Sequence, residues 1–318
     1  MKIAIVGPGA MGCLFAGFLT KKVCSTDSNV SVSLLGKDKV SVDLINQQGL
    51  SIEGVNPVIQ VPVKAYFDAE EIGPVDLVIL CVKSYDTRQA VLCAKPLIRE
   101  NTFVLTLQNG IGNVEIASEI LSNDNVIAGS TNLGAILLSP GKIKFTGNGE
   151  TIIGRIDGKI PVEMRYIREI FNKAGFETRI SRDIKGLLWS KLIINIGINA
   201  LSAITGLTNG RLVEFEVTRK ILRDAVTEGI RIAKRKRIKL IYDDPLAKVE
   251  AVCEATSTNI SSMLQDVIRK KRTEIDFING VIVRQGQELG IPVPVNSVLT
   301  GLVRTIESTY EVERVKNK

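Results

Sequence analysis

The segment WSKLIINIGIN (189–199) carries three polar side chains, Lys191, Asn195 and Asn199, at i, i+4 and i+8 of an otherwise apolar stretch. Four residues turn an α-helix through about 400°, so the three project along one stripe. Burying that stripe among Leu192, Ile193, Ile194, Ile196 and Ile198 without partners would be costly. A polar ligand cleft accounts for it better than a core does; the competing reading is the solvent face of an amphipathic helix. Histidine is absent from the chain. That removes a histidine base, a Ser-His-Asp triad and every His-ligated metal site. Any acid or base must be Lys, Glu or Asp, and no metal is expected.

The second chemical signature is GPGAMG, residues Gly7, Pro8, Gly9, Ala10, Met11 and Gly12, lying between an apolar run (KIAIV, 2–6) and a helix-forming stretch from Cys13 to Lys22. A GxGxxG pattern alone is weak. Between a strand and a helix, however, its glycines admit a pyrophosphate to the helix N-terminus. The second strand should end near Leu35-Gly36, where an NAD enzyme places Asp or Glu against the ribose 2′-hydroxyl. Here Gly36-Lys37 follows, with Asp38 adjacent. A lysine there can pair with a 2′-phosphate, which favours NADP, although a loop lysine can equally be solvated.

Two more strands end in polar residues, Lys83 after VDLVILCV (75–82) and Asn109-Gly110 after TFVLTLQ (102–108). Ligands of open α/β sheets lie beyond the carboxyl ends of strands, so both could line a cofactor cleft. They could also be a strand-exit lysine and an ordinary Asn-Gly turn. Asn209-Gly210 reads either as a site element or as a turn between helices, and Ser262 as a ligand or a small packing residue. Glu274 follows Thr273 at an expected helix start, where the helix dipole favours a carboxylate in any case.

These residues need elements to hold them. A chain of 318 residues has room for about two domains of roughly 150 residues each. Its 45% apolar and 24% charged content is that of a folded globular protein. The near-continuous apolar runs at 75–82 and 102–107 suit parallel strands covered on both faces. Between Val30 and Gly49 a β-branched alternating run is followed by a helix at 39–48. A hairpin is expected around 50–63, with strands at 125–130, 142–146, 151–154 and 176–180 and a helix at 161–174. From Asp183 the period becomes helical, with helices near 184–204, 214–235, 244–270, 273–289 and 295–313. The expected fold is an α/β Rossmann-like dinucleotide-binding domain over 1–182, then an all-α substrate-binding and catalytic domain over 183–318.

Composition narrows the partners. The net charge is +7, and the basic run KRKRIK (234–239) has no interleaved aromatics. It reads as a solvated helix face rather than a nucleic-acid patch. Five scattered cysteines with no CxxC pair fit reduced thiols in a cytoplasm. The start MKIAIVG runs straight into the glycine loop and reads as a first strand, not a signal peptide. No apolar run is read as reaching the roughly 18 residues of a membrane span. Neither nucleic acid nor membrane is expected as a partner.

Together GPGAMG (7–12), VK (82–83), QNG (108–110), LWSKLIINIGINAL (188–201), TNGRL (208–212) and NISSMLQDVIRKKRTEIDFINGVIV (259–283) resemble the ketopantoate reductase family over essentially the whole chain. The resemblance implies NADPH-dependent reduction of 2-dehydropantoate (ketopantoate) to pantoate, a step toward pantothenate and coenzyme A, by a cytoplasmic oxidoreductase; a homodimer is left open. It places the catalytic acid on Lys191 and the substrate among Asn195, Asn199, Asn209 and Ser262. Glu274 is put at the junction of cofactor and active site, Asn109 against both nicotinamide and substrate, and Lys83 and Ala135 against the cofactor. Relatives often carry Arg where Lys37 aligns. The alternatives are a related hydroxyacid or opine dehydrogenase, differing in substrate, and a non-catalytic NADP sensor, which would have no use for Lys191, Asn195 and Glu274 together.

Overall fold

Along β1 (Lys2–Val6) the side chains Ile3 and Ile5 enter one apolar cluster and Ala4 and Val6 another, so a strand with no polar face is buried on both sides. The computed structural model describes residues 1–121 and 125–316. They form two compact units, Met1–Gln108 with Asn113–Ile184, and Asn109–Gly112 with Lys185–Lys318.

In the first unit β1 is followed by α1 (Ala10–Leu19), β2 (Ser31–Leu35), α2 (Lys39–Gln48), β3 (Leu50–Glu53), β4 (Ile59–Val61), β5 (Lys64–Tyr66) and β6 (Leu77–Leu80). Then come α3 (Thr87–Ala94), β7 (Phe103–Thr106), α4 (Asn113–Leu121), β8 (Val126–Thr131), β9 (Gly134–Ser139), β10 (Lys142–Gly147), β11 (Thr151–Gly154), α5 (Val162–Ala174) and β12 (Thr178–Ile180). The parallel run β5-β2-β1-β6-β7-β8 has the doubly wound order, with β1 at the point where the strand order reverses. The sheet is mixed at its far end, because β11 joins β8 antiparallel and β12 closes the edge parallel to β11.

The remaining strands form a separate four-stranded sheet, β4-β3-β10-β9, which packs on the same core as α1. Gly17 makes room for it, since a Cβ there would stand 2.5 Å from Ile52 Cδ1. The expected hairpin at 50–63 is its β3–β4 pair. β9 went unread in the sequence because its residues are only half-buried or exposed, giving GAILLS no in-and-out alternation of burial.

The second unit contains α6 (Ile184–Thr205), α7 (Arg211–Glu214), α8 (Glu216–Arg235), α9 (Pro245–Ala255), α10 (Ser262–Ile268), α11 (Asn279–Leu289) and α12 (Pro294–Lys316). Its core gathers around Trp189, Leu192, Ile193, Ile196 and Leu201 of α6. Glycines bring α6 and α8 close: a Cβ on Gly229 would meet Ile196 Cδ1 at 2.3 Å, and one on Gly197 would meet Val226 Cγ2 at 2.8 Å. The buried Glu228 of α8 accepts from the backbone N–H groups of Val295 and Asn296, both at 2.9 Å, and so caps α12. The basic run at the end of α8 is exposed apart from Ile238, as a solvated face should be.

Three expectations are corrected. The helix expected over 244–270 is broken between α9 and α10, because Thr256 turns its hydroxyl back to the Val252 carbonyl at 2.7 Å and Ser261 starts a new helix by capping Leu264 N–H at 3.1 Å. The helix expected from 273 begins only at Asn279; the preceding Ile275–Phe277 form a 3₁₀ turn. Glu307 of α12 accepts from Thr273 N–H at 2.6 Å and Arg304 pairs with Asp276 at 2.6 Å, which holds that turn in place. Finally, α6 is long and apolar enough, by length and composition, to cross a membrane, since its leucines and isoleucines outweigh Lys191 and two asparagines. Most of that stretch is buried inside the fold, as in a core helix.

Candidate active site

The glycine turn is shaped by backbone. Gly7 has φ +100°, a conformation that disfavours a side chain, and its N–H donates to the Leu35 carbonyl at 2.9 Å. A Cβ on Gly12 would fall 2.0 Å from the Gly7 carbonyl oxygen, so the turn closes only without one. Gly9 is different: no atom lies within 4 Å of where its Cβ would be. It is also the N-cap of α1, and no side chain caps that helix end. An open space at an uncapped helix N-terminus is what a pyrophosphate requires, so these residues fit a dinucleotide. Pro8 packs beside Gly36 at the end of β2, and Met11 rests on the apolar core of the first unit. Ala10 is the first residue of α1.

Lys37 leaves β2 exposed and pairs with Asp86 at 2.7 Å. Lys83 is the residue that leads into the 3₁₀ turn Ser84–Asp86 after β6. Ala135 lies on β9, in register with Phe145 of β10. Gln108 was passed over in the sequence as part of QNG, yet it is the centre of a buried polar network at the strand ends. It donates to Thr87 Oγ1 at 2.8 Å and to the Val82 carbonyl at 3.1 Å, while Thr87 donates to Asn113 at 2.8 Å. The signal was a glutamine at the end of an apolar run, which needs partners once buried.

In the second unit the structure brings Lys191, Glu274 and Asn109 together. Asn109 donates from Nδ2 to Glu274 Oε2 at 3.3 Å. The loop carrying it is seated on the 3₁₀ turn: Ile111 N–H donates to the Phe277 carbonyl at 3.1 Å. Gly110, at φ +80°, sits so close to that carbonyl that a Cβ would overlap it at 2.3 Å. Glu274 is 5% exposed, at the start of the turn that Arg304 and Glu307 anchor. Burial pushes the Lys191 ammonium down from its ordinary 10.5 to about 8, while the nearby Glu274 charge pulls it back up. An amine that titrates near neutrality can hold a proton and give it up.

Asn195 shares the stripe with Lys191 and is half-buried; Asn199, one turn on, is buried. Asn209 is buried against the break between α9 and α10. Its N–H donates to the Asn259 carbonyl and its Nδ2 to Thr256 Oγ1, both at 2.9 Å, and its Oδ1 is buried without a hydrogen-bond partner. Ser262 is exposed at the start of α10. The serine before it, Ser261, is the structural one, capping α10 and bonding Ser202 at 2.6 Å. The segmental break that seats Asn209 lay hidden in a stretch that reads as unbroken helix.

A glycine turn that fits a pyrophosphate and a half-buried lysine beside a carboxylate agree with the class, a nicotinamide dinucleotide-dependent oxidoreductase. The family model described as "Ketopantoate reductase PanE/ApbA" matches residues 3–158, and its C-terminal counterpart, "Ketopantoate reductase PanE/ApbA C terminal", matches 183–307. A 2-dehydropantoate 2-reductase of Pyrococcus horikoshii is 38% identical over 97% of this chain and 98% of its own. The crystal structure of a PanE/ApbA family ketopantoate reductase from Ralstonia eutropha has 37% identity and a TM-score of 0.89, covering 98% of this chain and 100% of its own. A D-mandelate dehydrogenase in ternary complex with NADH and anilino(oxo)acetate has 27% identity and a TM-score of 0.88 over the same shares. The chain belongs to the ketopantoate reductase family.

Proposed function

We propose that the protein reduces the C2 carbonyl of 2-dehydropantoate to the alcohol of pantoate, with NADPH as the co-substrate and Lys191 as general acid. The observation that carries this reading is the half-buried Lys191 beside the buried Glu274, with Asn109 bonded to the same carboxylate. The dinucleotide supplies the hydride; Gly7 to Gly12 would hold its pyrophosphate, Lys37 the 2′-phosphate, and Lys83, Asn109 and Ala135 the remainder. Lys191 donates a hydrogen bond to the carbonyl oxygen and then a proton as that oxygen becomes an alkoxide. Glu274 keeps Lys191 protonated up to a higher pH than burial alone would allow and orients Asn109. Asn195 and Asn199 line the same stripe. The unpartnered Oδ1 of Asn209 suits a hydroxyl donor on the substrate, and Ser262 offers a further one from an exposed position.

The five free cysteines are in keeping with a reducing cytoplasm as the place of work. A related 2-keto acid as substrate, with NADH, is the second reading, favoured by the likeness to D-mandelate dehydrogenase. One experiment separates them: NADPH and NADH consumption with ketopantoate beside pyruvate, 2-ketoisovalerate, oxaloacetate and phenylglyoxylate. Ketopantoate with NADPH should give the highest kcat/KM; a higher value for any other acid ends the ketopantoate assignment, and equal values for the two cofactors end the NADPH assignment.

A further inference from the structure

In the strand order β6-β1-β2, the turn from Gly7 to Gly12 leaves the middle strand, Lys37 leaves β2 on one side and Asp86 follows β6 on the other. The 2.7 Å contact between Lys37 Nζ and Asp86 Oδ2 therefore joins the two strand exits that flank the glycine turn. Strands next but one in a sheet stand about 10 Å apart, so only a long lysine and a carboxylate carried on the turn after β6 close that gap. The lysine is 78% exposed and the carboxylate 30%, so a ligand can reach both.

We infer that Asp86 is a specificity-determining residue that sets how strongly this protein distinguishes a 2′-phosphorylated dinucleotide from an unphosphorylated one. The inference rests on the reading of Lys37 as the partner of a 2′-phosphate. A phosphate held by Lys37 Nζ lies no further from Asp86 than two hydrogen bonds in series. A dianion and a carboxylate so close repel, and Lys37 must leave Asp86, in whole or in part, to grip the phosphate. A free ribose 2′-hydroxyl has the opposite preference. It donates to a carboxylate, the role that an acid at the end of the second strand fills in NAD enzymes and that Gly36 leaves vacant here. Asp86 supplies that acceptor from the turn after β6. The pair thus contains one group for each form of the cofactor, and its two charges largely cancel when no ligand is bound.

The test uses isothermal titration of the full-length protein with 2′-phospho-ADP-ribose and with ADP-ribose, alongside NADPH and NADH kinetics. Asp86→Asn should tighten 2′-phospho-ADP-ribose by roughly five- to tenfold, the size of a like-charge contact at about 4 Å in a solvated site, and should weaken ADP-ribose. The kcat/KM ratio for NADPH over NADH should rise with it. An Asp86→Asn protein whose two affinities move together, or do not move, overturns the inference. Lys37→Ala tests the reading beneath it. If Lys37→Ala removes the advantage of the phosphorylated ligand while Asp86→Asn changes nothing, the inference alone is wrong. If Lys37→Ala leaves the advantage of the phosphorylated ligand intact, the reading of Lys37 fails and the inference that rests on it fails with it. A wild-type protein that binds neither ligand overturns both.

Discussion

The glycine turn, to which we assign the cofactor, and the lysine cluster, to which we assign the proton transfer, are built in opposite ways. The turn uses six consecutive residues and backbone geometry alone; its side chains matter mainly by being absent. The cluster uses side chains from three distant segments, at 109, 191 and 274, and works by burying a charge. A local backbone device is rigid by sterics and tolerates almost no change. An assembled side-chain device is tuned by electrostatics, through the charges and hydrogen bonds its members share.

The largest effect that contrast predicts is at Lys191. Lys191→Ala should lower kcat by roughly the 10² to 10⁴ of a lost general acid, with a much smaller change in NADPH affinity. Glu274→Ala should also slow turnover, and the double variant should lose less than the two single losses combined, since both groups act at one centre. A folded Lys191→Ala protein with near wild-type kcat would refute the assignment and leave the cluster without a chemical role.

Two glycine variants sharpen the comparison at the other end. Gly12→Ala puts a methyl group 2.0 Å from a backbone oxygen, so its melting temperature should drop and dinucleotide binding should fall with it. Gly9→Ala adds the same methyl group to open space, at a φ of −82° that any residue adopts. Its melting temperature should match the wild type while the dinucleotide dissociation constant rises by about tenfold or more. Equal binding by Gly9→Ala and the wild type would mean that the open space is not where the ligand lies.

The smallest effect is a displacement along the pH axis. The acid must be protonated to donate, so kcat/KM for carbonyl reduction should fall as pH rises through about 8. Removing the Glu274 charge removes the influence that raises Lys191, so in Glu274→Gln the falling limb should move to lower pH. A limb that stays in place would assign the titration to another group. Folding stability has its own sign. An unfolded lysine keeps its proton to about 10.5, so between about 8 and that value the unfolded chain binds more protons and stability contributed at this site rises with pH.

The same contrast explains what could be read in the letters. The strand, glycine turn and helix at the start, the helix at 39–48 ended by Gly49, and the long apolar helix from 184 all depend on neighbours a few residues away, and the structure has each of them. The stripe of Lys191, Asn195 and Asn199 was legible for the same reason. The delayed start of α11 was not, because it depends on partners far along the chain, Arg304 and Glu307; the break after Ala255 went unread although the bonds of Thr256 and Ser261 that make it are local, because such hydroxyls also occur inside helices. That Asn109 meets Glu274 has no local signal, and came only through likeness to a family. The pairing of Lys37 with Asp86, across 49 positions, had none either.

The seat of the 109–112 loop sets a rule for recombination. Those four residues belong by contact to the unit that begins at Lys185, although the chain delivers them from the middle of the other one. A hybrid gene that joins this chain to a relative near position 183 would preserve the loop in spelling but hand Ile111 a foreign Phe277 carbonyl and Asn109 a foreign Glu274. A crossover that respects the molecule must therefore carry residues 109–112 along with everything after 184, as a transplant in two pieces.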